Sequence, residues 1–126
     1  ELVLEINFFH KNLTKAEEAY FAEYLETKKE MIENLLKTFP KNASLMRANI
    51  EKFDKHDAYE VELSVILPTK QVVAKEASHL ITKAVDLAKD RLMSQIKKHI
   101  SLMRRDGKHK SIRERKEAGV KEEVLF

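Results

Sequence analysis

Between Tyr59 and Leu67 the side chains of Tyr59, Val61, Leu63, Val65 and Leu67 alternate without a break with Glu60, Glu62, Ser64 and Ile66. A period of two sends every second side chain to the same face, so the segment fits a strand with one buried face and does not fit a helix. Pro68-Thr69 comes next. Proline fixes φ and removes a ladder donor, which predicts a tight reversal there. Gln71 to Glu76 should then pair back as the second arm of a hairpin. The rest of the chain has to supply a cover for one side of a sheet.

Leu2, Leu4, Ile6 and Phe8 alternate with Val3, Glu5, Asn7 and Phe9, which predicts a first strand. Asn12 or Thr14 can cap the helix that follows, and Glu17 stands three residues after Thr14 as a capping box requires. Phe21, Leu25, Ile32, Leu35 and Phe39 recur at helical spacing, so one long helix is expected up to Pro40. Leu45 to Phe53 reads as a second strand, with Met46, Ala48 and Ile50 on one face, and Asp54 to Asp57 as a polar turn. Ser78 is the expected N-cap of the last helix. On a helical wheel Ile81, Val85, Ala88, Leu92, Ile96, His99 and Met103 form its apolar stripe, and Gly107 is its expected terminator. The order β-α-β-β-β-α predicts an α+β two-layer sandwich, a four-stranded sheet with two helices on one face. Residues 1–106 would form the domain and 107–126 a basic to mixed-charge tail, mobile in isolation.

A chain of 126 residues suits one such core. Charged residues are 36% and the hydrophobic set 43%, within the globular class and outside the disordered one. No apolar run reaches the roughly 20 residues of a bilayer span, since Glu62, Lys83 and Asp86 interrupt the longest. No secretory apolar stretch opens the chain; Glu1 is not an initiator Met, so the start is expected to be either trimmed or absent from this sequence, and a removed leader stays open. The absence of cysteine excludes disulfides, thiolate metal sites and thiol nucleophiles, and fits a cytoplasmic home.

The net charge of +3 is unevenly spread. Lys83 to Lys116 holds twelve Lys or Arg and four acidic residues, a local +8, and the remainder stands at −5. Such a field favours a polyanionic partner through counterion release. Lys28 and Lys29 on the first helix, with Lys83, Lys89, Arg91, Lys97, Lys98, Arg104 and Arg105 on or near the second, would share one exposed plane if the helices lie side by side. An ordinary solvated helix face is the competing explanation.

Signs of catalysis are few. The five histidines lack metal-ligand spacing, and His99 belongs to the apolar stripe as a packed residue. Asp86 and Asp90 are four apart on one helix, but Lys83, Lys89 and Arg91 surround them, and surface ion pairing accounts for the spacing. The only glycines are Gly107 and Gly119, so no glycine-rich phosphate loop can form. No cofactor and no metal are implied. Aromatic residues are sparse and mostly at core-facing positions, so RNA binding would rest on backbone charge and shape more than on base stacking.

Two segments carry a family resemblance: Tyr59-Glu-Val-Glu-Leu-Ser-Val-Ile-Leu-Pro68 and Ala84-Val-Asp-Leu-Ala-Lys-Asp-Arg-Leu-Met-Ser-Gln-Ile-Lys-Lys-His99. Within the second, Val85-Asp86, Asp90-Arg91-Leu92, Gln95-Ile96 and Lys97-Lys98 follow the family order. Together with Thr14 opening a helix that bears Tyr24 and Lys28, this resembles the ribosome hibernation promoting factor family, also called ribosome-associated inhibitor or sigma-54 modulation proteins. The resemblance covers about residues 2–105. It implies a domain similar to double-stranded-RNA-binding domains, docked on the small ribosomal subunit over the messenger channel and tRNA sites. There it would contact 16S ribosomal RNA through basic residues of both helices and block translation without chemistry. Thr69-Lys70 stands where a glycine is common, and Leu80-Ile81-Thr82 replaces the usual entry to the second helix. The chain looks like a short form. Lys108, Lys110 and Arg113, with His109, Ser111, Arg115 and Lys116, resemble the basic extension of some short members, whereas Glu122 to Phe126 does not.

The leading expectation is thus a translation inhibitor bound to the small subunit, with no membrane or small-molecule partner. Two others stay open: a protein interaction module for a transcription or stress partner, and a general structured-RNA-binding domain. Self-association is left open.

Overall fold

The computed structural model describes residues 4–37, 45–67 and 70–116, with only the backbone of 105–116. The elements are β1 (Glu5–Lys11), α1 (Lys15–Glu26), α2 (Lys29–Leu36), β2 (Leu45–Phe53), β3 (Ala58–Ile66), β4 (Gln71–Ser78) and α3 (Ile81–Lys116). They fall into two compact units, Glu1–Ile96 and Lys97–Phe126.

The four strands form one sheet in the order β1-β2-β3-β4. β1 runs parallel to β2, the crossover being made through α1 and α2, and the remaining pairs are antiparallel. The β3 alternation sets the register: Val61, Leu63 and Val65 lie opposite Ile50, Ala48 and Met46 on one side and Glu76, Ala74 and Val72 on the other. Of these only Glu76 escapes full burial, so one sheet face is a continuous apolar layer. Phe21, Leu25, Ile32 and Leu36 of α1 and α2 are buried, as are Ile81, Val85, Ala88, Leu92 and Ile96 of α3. These helical stripes and that sheet face are the buried surfaces of the first unit, and they cover one another. Phe8 meets Phe21 edge to face at 6.0 Å between ring centroids, a favoured aromatic geometry that fixes α1 against β1.

Several local features differ from the sequence expectation. The single long first helix is two. Thr27 Oγ1 donates to the Tyr24 carbonyl at 2.6 Å, and the Thr27 and Lys28 amides bond three residues back, to Tyr24 and Leu25, where an α-helix bonds four back. A Thr hydroxyl bonded to the preceding turn competes with the helical ladder. Lys28, at φ −99° and ψ −4°, is where the two helices part. Phe39 and Pro40 lie outside the described residues, as do Leu2 and Val3.

Thr14 does cap α1. Its hydroxyl accepts from the Glu17 amide at 3.1 Å, and Glu17 Oε1 accepts from the Thr14 amide at 2.9 Å. Ser78 is not a cap: it ends β4, two residues beyond the expected Glu76, and its hydroxyl accepts from the Leu80 amide. The 54–57 turn uses Asp57 at φ 49°, a left-handed position that Asp tolerates better than most residues. Pro68 and Thr69 lie outside the described residues, but Leu67 and Lys70 exchange backbone hydrogen bonds at 2.8 and 3.3 Å across them, which closes the expected hairpin.

α3 continues through Gly107 to Lys116, so that glycine does not end it. A single glycine inside a helix costs only about 1 kcal/mol against alanine and is tolerated between good helix formers. His99 is buried, as its place on the stripe predicts; Met103 is 43% exposed and leaves the stripe. Among the described residues no helix is long and apolar enough to cross a membrane.

Candidate nucleic-acid interface

The two sheet faces are unlike. The open face carries the exposed side chains Phe9, Leu45, Ile66 and Val73, with the Arg47 guanidinium 5.1 Å from the Phe9 ring centroid. Beside them is a depression of about 280 Å³ whose charged lining includes Lys11, Glu51, Glu60, Glu62 and Lys75. Lys11 stands 3.9 Å from Glu51, and Asn49 donates to Glu62 at 3.2 Å. With acids and bases interleaved, this face offers a polyanion no net attraction.

The helical layer is where the sequence places its cations, and the structure divides them. Lys28 Nζ lies 3.7 Å from Asp86 Oδ1 of α3 and 4.9 Å from the centroid of the Tyr24 ring. Lys29 pairs with Glu26 at 3.9 Å. Arg91, well exposed, pairs with Glu76 at 2.5 Å. Lys89 is buried, its side chain 10% exposed and its ammonium 2.7 Å from Asp90. It therefore does not belong to the exposed plane on which the sequence reading put it. The reason is its place beside Ala88 in the buried arc of α3, where the aliphatic stem packs and only the ammonium reaches an acid. Lys83, Lys97, Lys98 and Arg104 are exposed, and among the described residues none of them has a carboxylate partner. The side chains of Arg105, Lys108, Lys110 and Arg113 lie outside the described residues.

The positive field consequently belongs to α3. Between Ile81 and Arg104 it has six Lys or Arg and two Asp. α1, α2 and their junction carry more acid than base, with Lys15, Lys28 and Lys29 against six Glu. Lys28 and Lys29, the cations expected from the first helix, are both matched by acids.

Asp86 is the point at which α1 and α3 are joined by polar groups. The Tyr24 hydroxyl lies 2.9 Å from both Asp86 carboxylate oxygens and donates to them as a three-centre bond. Lys83, Lys89 and Arg91 are the neighbours expected from the sequence, but the partners of Asp86 are Tyr24 and Lys28. Nothing local signals this, since 62 residues separate Tyr24 from Asp86. Elsewhere, Tyr59 donates to Glu17, and Lys52 stands 3.7 Å from the same carboxylate, which links α1 to the sheet. Among the described residues no cluster of three or more His, Asp or Glu is gathered as for a metal ion.

Comparison with known proteins agrees with this architecture. Residues 4–104 match the family model described as sigma 54 modulation protein / S30EA ribosomal protein. A search of curated proteins returns no match. Among solved structures, a ribosomal subunit interface protein from Coxiella burnetii is similar at a TM-score of 0.54 and 17% identity, covering 76% of this chain and 97% of its own. The N-terminal domain of Thermus thermophilus Protein Y is similar at 0.53 and 21% identity, covering 78% of this chain and 99% of its own. At these identities the two structures share the fold.

Proposed function

The chain belongs to the sigma-54 modulation protein / S30EA ribosomal protein family, and from that membership we propose that it is a ribosome-associated translation inhibitor, a hibernation factor with no chemistry of its own. It binds the small ribosomal subunit over the messenger channel and tRNA sites, touches 16S ribosomal RNA, and halts translation under stress by occupying the cleft. Such a partner puts its work in the cytoplasm.

The observation that supports RNA as the contact is the presence on α3 of exposed cations with no carboxylate partner among the described residues, Lys83 in the first unit and Lys97, Lys98 and Arg104 in the second. A lysine or arginine without a carboxylate neighbour can neutralise a phosphate and release its counterion; one already paired contributes less. One solved neighbour is named as a ribosomal subunit interface protein, which agrees with this reading.

Co-sedimentation of the protein with isolated small subunits across a salt series, with tRNA and messenger as competitors, tests it. Stoichiometric binding that weakens with salt and is lost to the competitors is expected. No binding at low salt would overturn it.

A further inference from the structure

Lys28, at the α1–α2 junction, reaches across to α3 and arrives there already matched. Its ammonium has a carboxylate on one side and a ring face on the other, Asp86 Oδ1 at 3.7 Å and the Tyr24 centroid at 4.9 Å. Its side chain is 25% exposed, and that of Asp86 42%. Both are thus within reach of a ligand. At 3.7 Å the contact with Asp86 is an ion pair without a hydrogen bond, so the ammonium's N–H donors remain usable by a phosphate oxygen. The Tyr24 hydroxyl holds the carboxylate by both oxygens. The helix break at Thr27–Lys28, produced by the Thr27 hydroxyl, is what places Lys28 at this junction.

Two consequences follow from elementary electrostatics. A flexible polyanion approaching this point meets a pair of net charge zero, so charge alone does not draw it in. A rigid phosphate backbone that brings an oxygen to the ammonium meets a side chain held by two contacts, with less rotamer freedom left to lose. We propose that Asp86 is a specificity-determining residue of the ribosomal-RNA surface: it cancels the Lys28 charge toward flexible RNA and, held by Tyr24, keeps the ammonium positioned for a structured one. This rests on the reading of the preceding subsection. Asp86 acts through Lys28, as a positioning residue.

The test measures binding of the full chain to poly(U) and to small subunits, for wild type, Asp86→Asn, Lys28→Ala, the double variant and Tyr24→Phe. Thermal melts confirm that each is folded. Asp86→Asn should raise poly(U) affinity about threefold, the Coulomb energy of one charge roughly 6 Å away in water-like surroundings. It should also steepen the log–log salt slope by about 0.7, one single-strand phosphate contact. The double variant should return both to wild-type values, because it removes both charges of a pair whose net charge is zero. Tyr24→Phe keeps every charge, so it should leave poly(U) binding unchanged while lowering subunit affinity about threefold, the loss of part of one immobilised side chain's advantage.

An Asp86→Asn protein with unchanged poly(U) affinity and slope would overturn the proposal, as would a gain that survives in the double variant. A Tyr24→Phe protein that loses affinity equally for both RNAs, or for neither, would overturn the positioning role. Failure of the ribosomal reading looks different: wild type would not bind subunits at all, while the poly(U) comparison would still decide the charge cancellation.

Discussion

The phenol of Tyr59 in β3 donates to Glu17 Oε2 at 2.5 Å, fastening the first turn of α1 to a strand 42 residues further along. The same carboxylate accepts from the Thr14 amide through its other oxygen and stands 3.7 Å from Lys52, whose ammonium also lies 5.6 Å from the Tyr59 ring centroid. One acidic side chain thus completes the helix cap and ties the helix to the sheet.

This link should make stability depend on pH in two places. The hydrogen bond from Tyr59, aided by the Thr14 amide and the Lys52 charge, holds the Glu17 carboxyl below its ordinary value of 4.5. A depressed acid stabilises the fold above its unfolded value, and the contribution fades as pH falls through the lower native one. The Tyr59 phenol is pushed up to about 12, first by the bond to Glu17, then by burial. Its contribution is complete below the unfolded value of 10 and is lost as pH rises from there toward 12. Tyr59→Phe should cost about 1 kcal/mol at neutral pH, below the roughly 1.5–3 kcal/mol of a bond to a charged group because the site is partly exposed to solvent. In melts of both proteins, the gap should shrink in acid and again in strong alkali; a gap constant across pH would count against the link.

The capping box yields a prediction confined to stability. Thr14→Ala removes the acceptor for the Glu17 amide and should cost about 1 kcal/mol. Denaturant titration would show it as a lower midpoint. Subunit binding, measured where the variant is fully folded, should not change.

Lys97 and Lys98 should show the opposite pattern. Both are exposed, so reversing them to Glu should alter stability by about 0.5 kcal/mol or less. If each meets a phosphate of duplex RNA, losing both should flatten the log–log salt slope of subunit binding by about 1.8. A drop in melting temperature matching the loss of affinity would mean that these side chains are structural.

Lys83 and Lys89 form a paired comparison six residues apart on one helix. Lys83→Ala should weaken subunit binding and leave the melt unchanged, since its side chain is exposed with no acidic partner among the described residues. Lys89→Ala should do the reverse, costing about 1 kcal/mol of stability through its buried stem. Equal losses of binding in the two variants would return Lys89 to the RNA surface.

What the residues determine by themselves is whatever repeats at the period of a single element. The alternation of Tyr59 to Leu67, the stripe from Ile81 to Ile96 and the Thr14–Glu17 cap are readable because each involves neighbours along the chain, and all three stand in the fold. The ordered segments around Tyr59 and Ala84 likewise identified the family. Tertiary structure alone decided which cations are matched by acids distant in the sequence. Lys28 is matched by Asp86 and Arg91 by Glu76, across separations at which no periodicity operates. Lys89 became buried because the arc of α3 that the sheet covers is wider than its apolar residues. An ion pair depends on where two backbones happen to pass, and that is set by the packing of the whole core, which no stretch of sequence encodes locally.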